Sequence, residues 1–471
     1  MTRIITLFFF TICTLMCNFI YAQQCKFVQV SSKSGHSFGI SAEGKLYAWG
    51  SNSQAQLGLG TKTVSEPTPT LVNQDTDWKK VETGNSSFFS AALKNNGSLW
   101  LWGDNVYDIL GNQTDLLVPT HTAQNMSWKD FSTGFFRILA IRDDNTLWGW
   151  GNNEGGSLGI DSTRFTISIP TQVGSDNNWS KISCGLNHTL ALKSNGTVWV
   201  CGSNNVGQHG NGTSMNGSFS DKFIQVGTDN NWTEILAGAA FNLAIKNDGT
   251  LWAWGNNQAG QLGDGTKINR LQPTQIGTDK DWKSLGYSGN SSAAIKTNGT
   301  LWTWGLGAQG QLGNGSKMSA LVPTQIGSDT DWKIVTGGGG SGFAGTTGDH
   351  YLALKQNNEL FSWGVNLSSA LGNNSTDTIL IPSSICNTVN SDEFTNNKAI
   401  KVFPNPSNNI IHVESESHII NLILFNNLGQ VVKQKANSNY IDISEFENGT
   451  YFLKIEMRDR IFDTKNITIL K

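Results

Sequence analysis

The sequence predicts an all-β protein: a seven-bladed β-propeller followed by a small β-sandwich domain. Three observations predict it. A Trp-Gly motif recurs at Gly50, Gly103, Gly151, Gly202, Gly255, Gly305 and Gly364, a period of about fifty residues. Each recurrence sits among short apolar runs separated by turn residues, and long helix-period stretches are absent. Tryptophan, present 17 times, stops at Trp363, and the tail that follows has a different composition.

Each repeat has the same parts. Trp78, Trp128, Trp179, Trp232, Trp282 and Trp332 open six units, and Phe27 takes that place in the first. An apolar strand of the form LALK follows. A two-residue turn comes next, Asn96-Gly97, Asn195-Gly196, Asp248-Gly249 or Asn298-Gly299, pairs that tolerate the positive φ of a tight hairpin. Glu43-Gly44, Asp144-Asn145 and Asn357-Asn358 are weaker versions. The strand LWAWG or a relative follows. Side chains alternate along a strand, so Trp252 and Trp254 face one way and Leu251 and Ala253 the other. Both faces are apolar, which suits a sheet packed between two neighbours. The glycine after Trp predicts a bulge or a close backbone approach. A loop ending in QLG-x-G and a strand of the form PTQIG complete the unit. The many Asn-x-Ser/Thr triplets, such as Asn195-Gly196-Thr197, read as hairpin turns rather than glycan sites.

The chain ends frame the repeats. Residues 1–22 read as a cleaved signal peptide: Arg3, an apolar run from Ile4 to Ile20, and Ala22 before the cut. No other run is apolar enough to span a bilayer, so the mature chain is expected to be exported and soluble, with no transmembrane segment. Net charge is -3 with 15% charged residues, which leaves no basic footprint for nucleic acid. The propeller is assigned to 23–386, a polar linker to 387–399, and the second domain to 400–471, where about six short strand signals form a sandwich pattern.

The unit pattern resembles the regulator of chromosome condensation repeat family, over all seven units. That resemblance implies a seven-bladed propeller. Departures are Val106 to Gly111 in place of GQLG in the second unit, and Cys201 and His209 in place of Trp and Leu in the fourth. The tail resembles the sorting domain of type IX secretion substrates, through Phe403-Pro404-Asn405-Pro406, Leu428-Gly429-Gln430 and Asn448-Gly449-Thr450-Tyr451-Phe452. This implies a Bacteroidota-type Gram-negative cell, passage through its secretion machinery, and release or attachment at the outer surface.

Catalytic and metal patterns are missing from the sequence, so no cofactor, no metal and no enzymatic activity are expected. His36, His188 and His350 share one position just before the LAL strand, where other units place Phe89, Arg137, Phe241 and Ser291. A position that accepts Phe, Ser and Arg is a packing site rather than a ligand. The glycine-rich run from Gly337 to Gly348 lacks the Lys-Ser/Thr of a phosphate loop and reads as a surface loop. Function then falls to a secreted or surface-displayed scaffold that binds a protein or glycan through one loop face. The candidate contacts are Phe88, Phe89, Phe135, Phe136, Phe241, Tyr287 and Phe343, all in loops before LAL strands, with burial in the blade tops as the alternative. The competing functions are an extracellular lyase or hydrolase using the ring's funnel and, by family analogy alone, guanine-nucleotide exchange.

Four cysteines remain after the signal. Cys184 and Cys201 flank one hairpin and are either bridged or free. If the ring closes, repeat alignment sets Cys386 and Cys25 three residues apart in the turn between the last and first blades, within disulfide reach. The Cys25–Cys386 bridge is therefore expected, with up to about 5 kcal/mol of stabilisation for so long a loop. Reduction should lower the melting temperature. Thiol labelling of the secreted protein checks it, and free thiols at both positions refute it.

Overall fold

The computed structural model describes residues 26–385 and 401–470, apart from 86–87, 110–113, 123–124, 340–347, 416–417, 427–430 and 458–461. The chain divides into two compact units, Met1–Cys386 and Asn387–Lys471. The signal region, Cys25 and Cys386 lie outside the described residues.

The first unit consists of seven four-stranded antiparallel sheets, each built from consecutive strands. Blade 1 covers 29–71, blade 2 78–122, blade 3 128–172, blade 4 179–225, blade 5 232–276, blade 6 282–326 and blade 7 332–384. The first strand of each blade lies nearest the axis and meets the first strand of the next. In blade 7 that strand, Trp332–Gly338, packs against Gln29–Ser32 of blade 1, which closes the ring. Within a blade, the loops after the first and third strands share one end. Ser32 pairs with Ser37, and His36 with Gly50, so both loops emerge from the same edge. This end is called the upper face below.

Two backbone-directed contacts repeat around the ring. The N–H of each opening aromatic donates to the second turn residue of the preceding blade: Trp232 to Gly196, Trp282 to Gly249, and Phe27 to Asn358 at 2.9 Å. The indole N–H of the second Trp donates to a carbonyl in the preceding blade's third-to-fourth strand loop. Trp102 reaches Gln56 at 2.9 Å, Trp254 reaches Gln208 at 3.0 Å, and Trp49 reaches Ala370 of blade 7 at 2.8 Å. In blade 4 the thiol of Cys201 takes that place, 3.5 Å from the Ser157 carbonyl. The Trp-Gly glycine has φ between +95° and +102° in every blade. At Gly255 the register to the outer strand shifts, and a Cβ would stand 2.8 Å from the Ala240 carbonyl. Bulge and close approach thus coincide, and only glycine fits.

The lysine ending each LALK strand pins the lower end. Lys246 lies 4.7 Å above Trp232 and 3.8 Å above Trp252, and its Nζ is 2.8 Å from Asp229 in the connection from the preceding blade. Lys94, Lys193, Lys296 and Lys355 repeat this cage. The Asn-x-Ser/Thr triplets belong to the turns: Asn195 Oδ1 accepts from the N–H and hydroxyl of Thr197, which in turn accepts the Trp199 indole.

The second unit has a three-stranded sheet, Lys401–Phe403, Ile410–Glu414 and Tyr440–Asp442, and a four-stranded one in the order Val431–Ala436, Ile419–Phe425, Gly449–Met457 and Phe462–Ile469. Ile411, Val413, Leu422, Leu424, Leu453, Ile455 and Ile467 fill its core. Every second residue of Ile410–Glu414 is buried, as a half-covered strand requires.

Replacing Trp254 with Phe removes the indole bond, while Asn242 Nδ2 still donates to the Gln208 carbonyl at 2.9 Å. A loss of about 0.5–1.5 kcal/mol is expected, read as a lower melting temperature in calorimetry. Glu82, on the axial strand of blade 2, contacts Lys33 at 2.6 Å and Lys80 at 3.0 Å. Burial opposes its charge, but the two lysines outweigh that and hold its carboxyl far below the ordinary range. Its contribution is therefore complete above the unfolded carboxylate range and is lost as pH falls through the lower folded value. Glu82→Gln should cost about 3–5 kcal/mol at neutral pH. Acid titration of unfolding should show the difference from the parent shrinking as pH falls.

Candidate functional site

The loops before the LAL strands decide where aromatic residues end up. In blade 3 the hairpin turn is only Phe135-Phe136, between Gly134 and Arg137. Phe136 takes φ +47°, a left-handed backbone uncommon for a bulky residue. Such strain costs on the order of 1–2 kcal/mol. Ring burial offsets it: Phe136 stacks on Phe89 of blade 2 at 6.1 Å and lies 5.3 Å from Tyr107 and 5.1 Å from Phe135. Tyr107 also meets Phe135 edge-on at 6.2 Å.

The expected contact residues therefore separate. Phe89 and Phe136 are buried and support the cluster, while Phe88 and Phe135 remain half-buried at the upper face. Phe241 and Tyr287 meet edge-on at 6.1 Å between blades 5 and 6 and are buried. Their place as partner contacts is corrected, because their rings fill the space between blade tops. Phe343 lies outside the described residues. Tyr107 completes the cluster, and Val106 before it in sequence is 69% exposed. The sequence signal for them was the broken GQLG segment of the second unit.

Acidic groups lie in third-to-fourth strand loops of the same face. Asp104 and Asp115 lie in the blade 2 loop, and Glu154 lies in the blade 3 loop. Burial raises the Asp104 carboxyl, and the negative Asp115 adds to the effect. Asp115 is bound to Lys62 of blade 1 at 2.8 Å.

The axis is polar and ion-paired. At the second position after the opening aromatic, blades 2 to 5 carry Lys80, Asp130, Lys181 and Glu234. Lys80 pairs with Asp130 at 2.7 Å, and Lys181 with Glu234. The sequence shows no such gathering, because the paired residues lie a full repeat apart. Each of these carboxylates is neutralised by a lysine. Across the upper end of the axis, Asn85 Nδ2 donates to the Tyr287 hydroxyl at 2.8 Å, linking blades 2 and 6.

The shared histidine position joins blades. His36 Nε2 lies 2.9 Å from Ser90 Oγ, His188 Nε2 is 2.8 Å from Asn242 Oδ1, and His350 Nε2 is 2.7 Å from Ser32 Oγ. Burial lowers the three pKa values to about 3, 3 and 4 respectively, so the rings are neutral. Arg137 occupies the same position in blade 3, and its guanidinium donates to the carbonyls of Gly185, Leu186 and His188. Groups of three or more metal-ligating side chains are absent among the described residues.

Cys184 and Cys201 are free, buried thiols, so the bridged alternative is corrected. Both are paired with Thr189, from the strands on either side of it. Two strand spacings separate them, about 9–10 Å, beyond the reach of a disulfide.

Comparison with known proteins agrees with this architecture. Residues 401–469 match the secretion system C-terminal sorting domain, which implies export by the type IX machinery. No helix among the described residues is long and apolar enough to cross a membrane. The ultraviolet-B receptor UVR8 of Arabidopsis thaliana is 28% identical over 251 residues, 52% of this chain and 56% of the relative. Human E3 ubiquitin-protein ligase HERC2 is 27% identical over 257 residues, 53% of this chain but only 5% of the relative. The match thus spans little more than half of UVR8 and a small part of HERC2. Among solved structures, human WBSCR16 has a TM-score of 0.63 at 20% identity, covering 72% of this chain and 93% of that one. Prp20p from Saccharomyces cerevisiae has a TM-score of 0.58 at 22% identity, covering 66% and 80%. These likenesses concern the fold. The RCC1-like domain model matches residues 17–346, well over half of the sequence, and the chain belongs to that family.

Proposed function

We propose that this chain is an exported, non-enzymatic binding scaffold that engages a protein partner through the upper face of blades 2 and 3. The observation that carries this reading is the aromatic cluster built on the strained Phe135-Phe136 turn. Backbone strain of this kind gathers at functional sites. The cluster presents half-buried Tyr107 and Phe135 on a support of buried Phe89 and Phe136, with half-buried Phe88 and exposed Val106 next to it in sequence. Rigid aromatic side chains with a packed support lose little entropy on binding and dominate interface energetics.

The carboxylates of Asp104 and Asp115, in the loop that carries Tyr107, favour a partner that brings basic groups. The yeast Prp20p structure concerns binding to Gsp1p and histones. At that identity the likeness carries the fold, so protein binding by this chain rests on its own surface. The sorting-domain match supports the exported location, which sets the partner outside the cell or on its surface.

The test uses the folded protein as bait against proteins of its native surroundings, beside a Phe88→Ser, Tyr107→Ser, Phe135→Ser variant. Buried Phe89 and Phe136 are left intact so that the ring stays folded, verified by tryptophan fluorescence. A partner held by the parent should bind the variant at least about thirtyfold more weakly, since central aromatic contacts contribute 2 kcal/mol or more. Equal capture by both proteins removes this face from the reading.

A further inference from the structure

We infer that the upper-face arc of blades 4, 5 and 6 docks on an anionic lipid surface. Three loops between third and fourth strands carry the argument. Met215, Ile268 and Met318 each stand three residues after an equivalent loop glycine, Gly212, Gly265 and Gly315. They are 69%, 63% and 76% exposed, where a solitary apolar side chain gains nothing from folding. Repetition of the feature in three consecutive blades separates it from the scattered apolar exposure of an ordinary surface.

The tips are held at a common height. The N–H of Gly212 donates to the Leu271 carbonyl of the next blade at 2.8 Å. Gly265 reaches Leu321 and Gly315 reaches Leu380, each at 2.9 Å. Inside the blade 5 loop, Asn257 Nδ2 donates to the carbonyls of Thr266 and Ile268, and its Oδ1 accepts from the Leu262 N–H. The apolar tips are thus part of a rigid rim.

Charge follows the same arc. Lys267 and Lys317 directly precede Ile268 and Met318, are exposed, and form no ion pair among the described residues. The loops at 204–218, 256–269 and 306–319 contain one acidic residue, Asp264. Its side chain is 5% exposed and bound by Arg270. The blade 2 loop, in contrast, carries Asp104, Asp108 and Asp115.

A planar anionic interface meets these features together. Separate apolar tips at one height enter the acyl boundary, and the lysines beside them meet the headgroups. A protein partner would need pockets matched to the spacing of three convex loops that share no groove. This surface lies on other blades than the aromatic cluster, so the two readings stand or fall separately.

The test is co-sedimentation of the full chain with vesicles of phosphatidylcholine alone and of an equimolar mixture with phosphatidylglycerol, at low and high salt. Binding to the mixed vesicles, weakened by salt, is expected. Lys267→Gln and Lys317→Gln should each weaken it about fivefold. Ile268→Ser with Met318→Ser should weaken binding on both salt arms. Phe135→Ser, on the other half of the face, should leave it unchanged. All are exposed or half-exposed positions, and tryptophan fluorescence verifies folding. Absence of binding to the mixed vesicles, or binding untouched by the lysine and apolar variants, overturns the proposal.

Discussion

The ring depends on one contact made between neighbours: an indole N–H of one blade bound to a loop carbonyl of the blade before it. A carbonyl buried between two sheets needs a donor, and tryptophan supplies the donor together with a large apolar ring. The same contact explains two sequence features at once. The second Trp of each W-x-W must be an indole, and the preceding GQLG loop must turn its backbone carbonyl outward. Because Trp49 meets Ala370 as Trp102 meets Gln56, the first and last blades join by the rule that joins the other pairs, with the Cys201 thiol standing in for the indole between blades 3 and 4. Closure needs no exchanged strand; each sheet is made of consecutive strands.

That rule leaves different amounts of freedom to different parts. The lower end is occupied by turns and by lysines caged between tryptophans and aspartates, so its residues are committed to the scaffold. The axis is committed as well, through the lysine–carboxylate pairs of blades 1 to 5 and the Asn85–Tyr287 bond. Variation concentrates at the upper face. There blades 2 and 3 gather aromatic and acidic groups, while blades 4 to 6 present apolar tips, with lysines beside those of blades 5 and 6. A ring of like units thus offers unlike surfaces, because only the loop contents differ and the frame beneath them stays the same.

Legibility followed the same division. The repeat, its turns and its packing faces were readable because strand alternation and turn chemistry act over a few residues. Asn145 and Asn358 fill left-handed turn positions that glycine fills elsewhere, and the sequence exposes that equivalence directly. The candidate site was only partly readable. Four of the seven aromatics proposed from the loops are buried, since whether a ring points outward depends on the adjacent blade's loop. Tyr107 was overlooked as a contact although the departure around it was noticed. The ion pairs at the axis went unseen because Lys80 and Asp130 lie a full repeat apart.

By itself, the sequence determined the all-β class, the seven units, the tight turns and the glycines that must accept a positive φ, all of them consequences of local sterics and of a period that needs no partner to be counted. The tertiary structure alone decided which side chains face solvent, that Cys184 and Cys201 stand two strands apart as free thiols, and that axial lysines neutralise carboxylates from neighbouring blades. The cysteine separation follows from the strand order within one blade, while the axial pairs turn on distances between residues about fifty positions apart, which the packing of neighbouring blades sets.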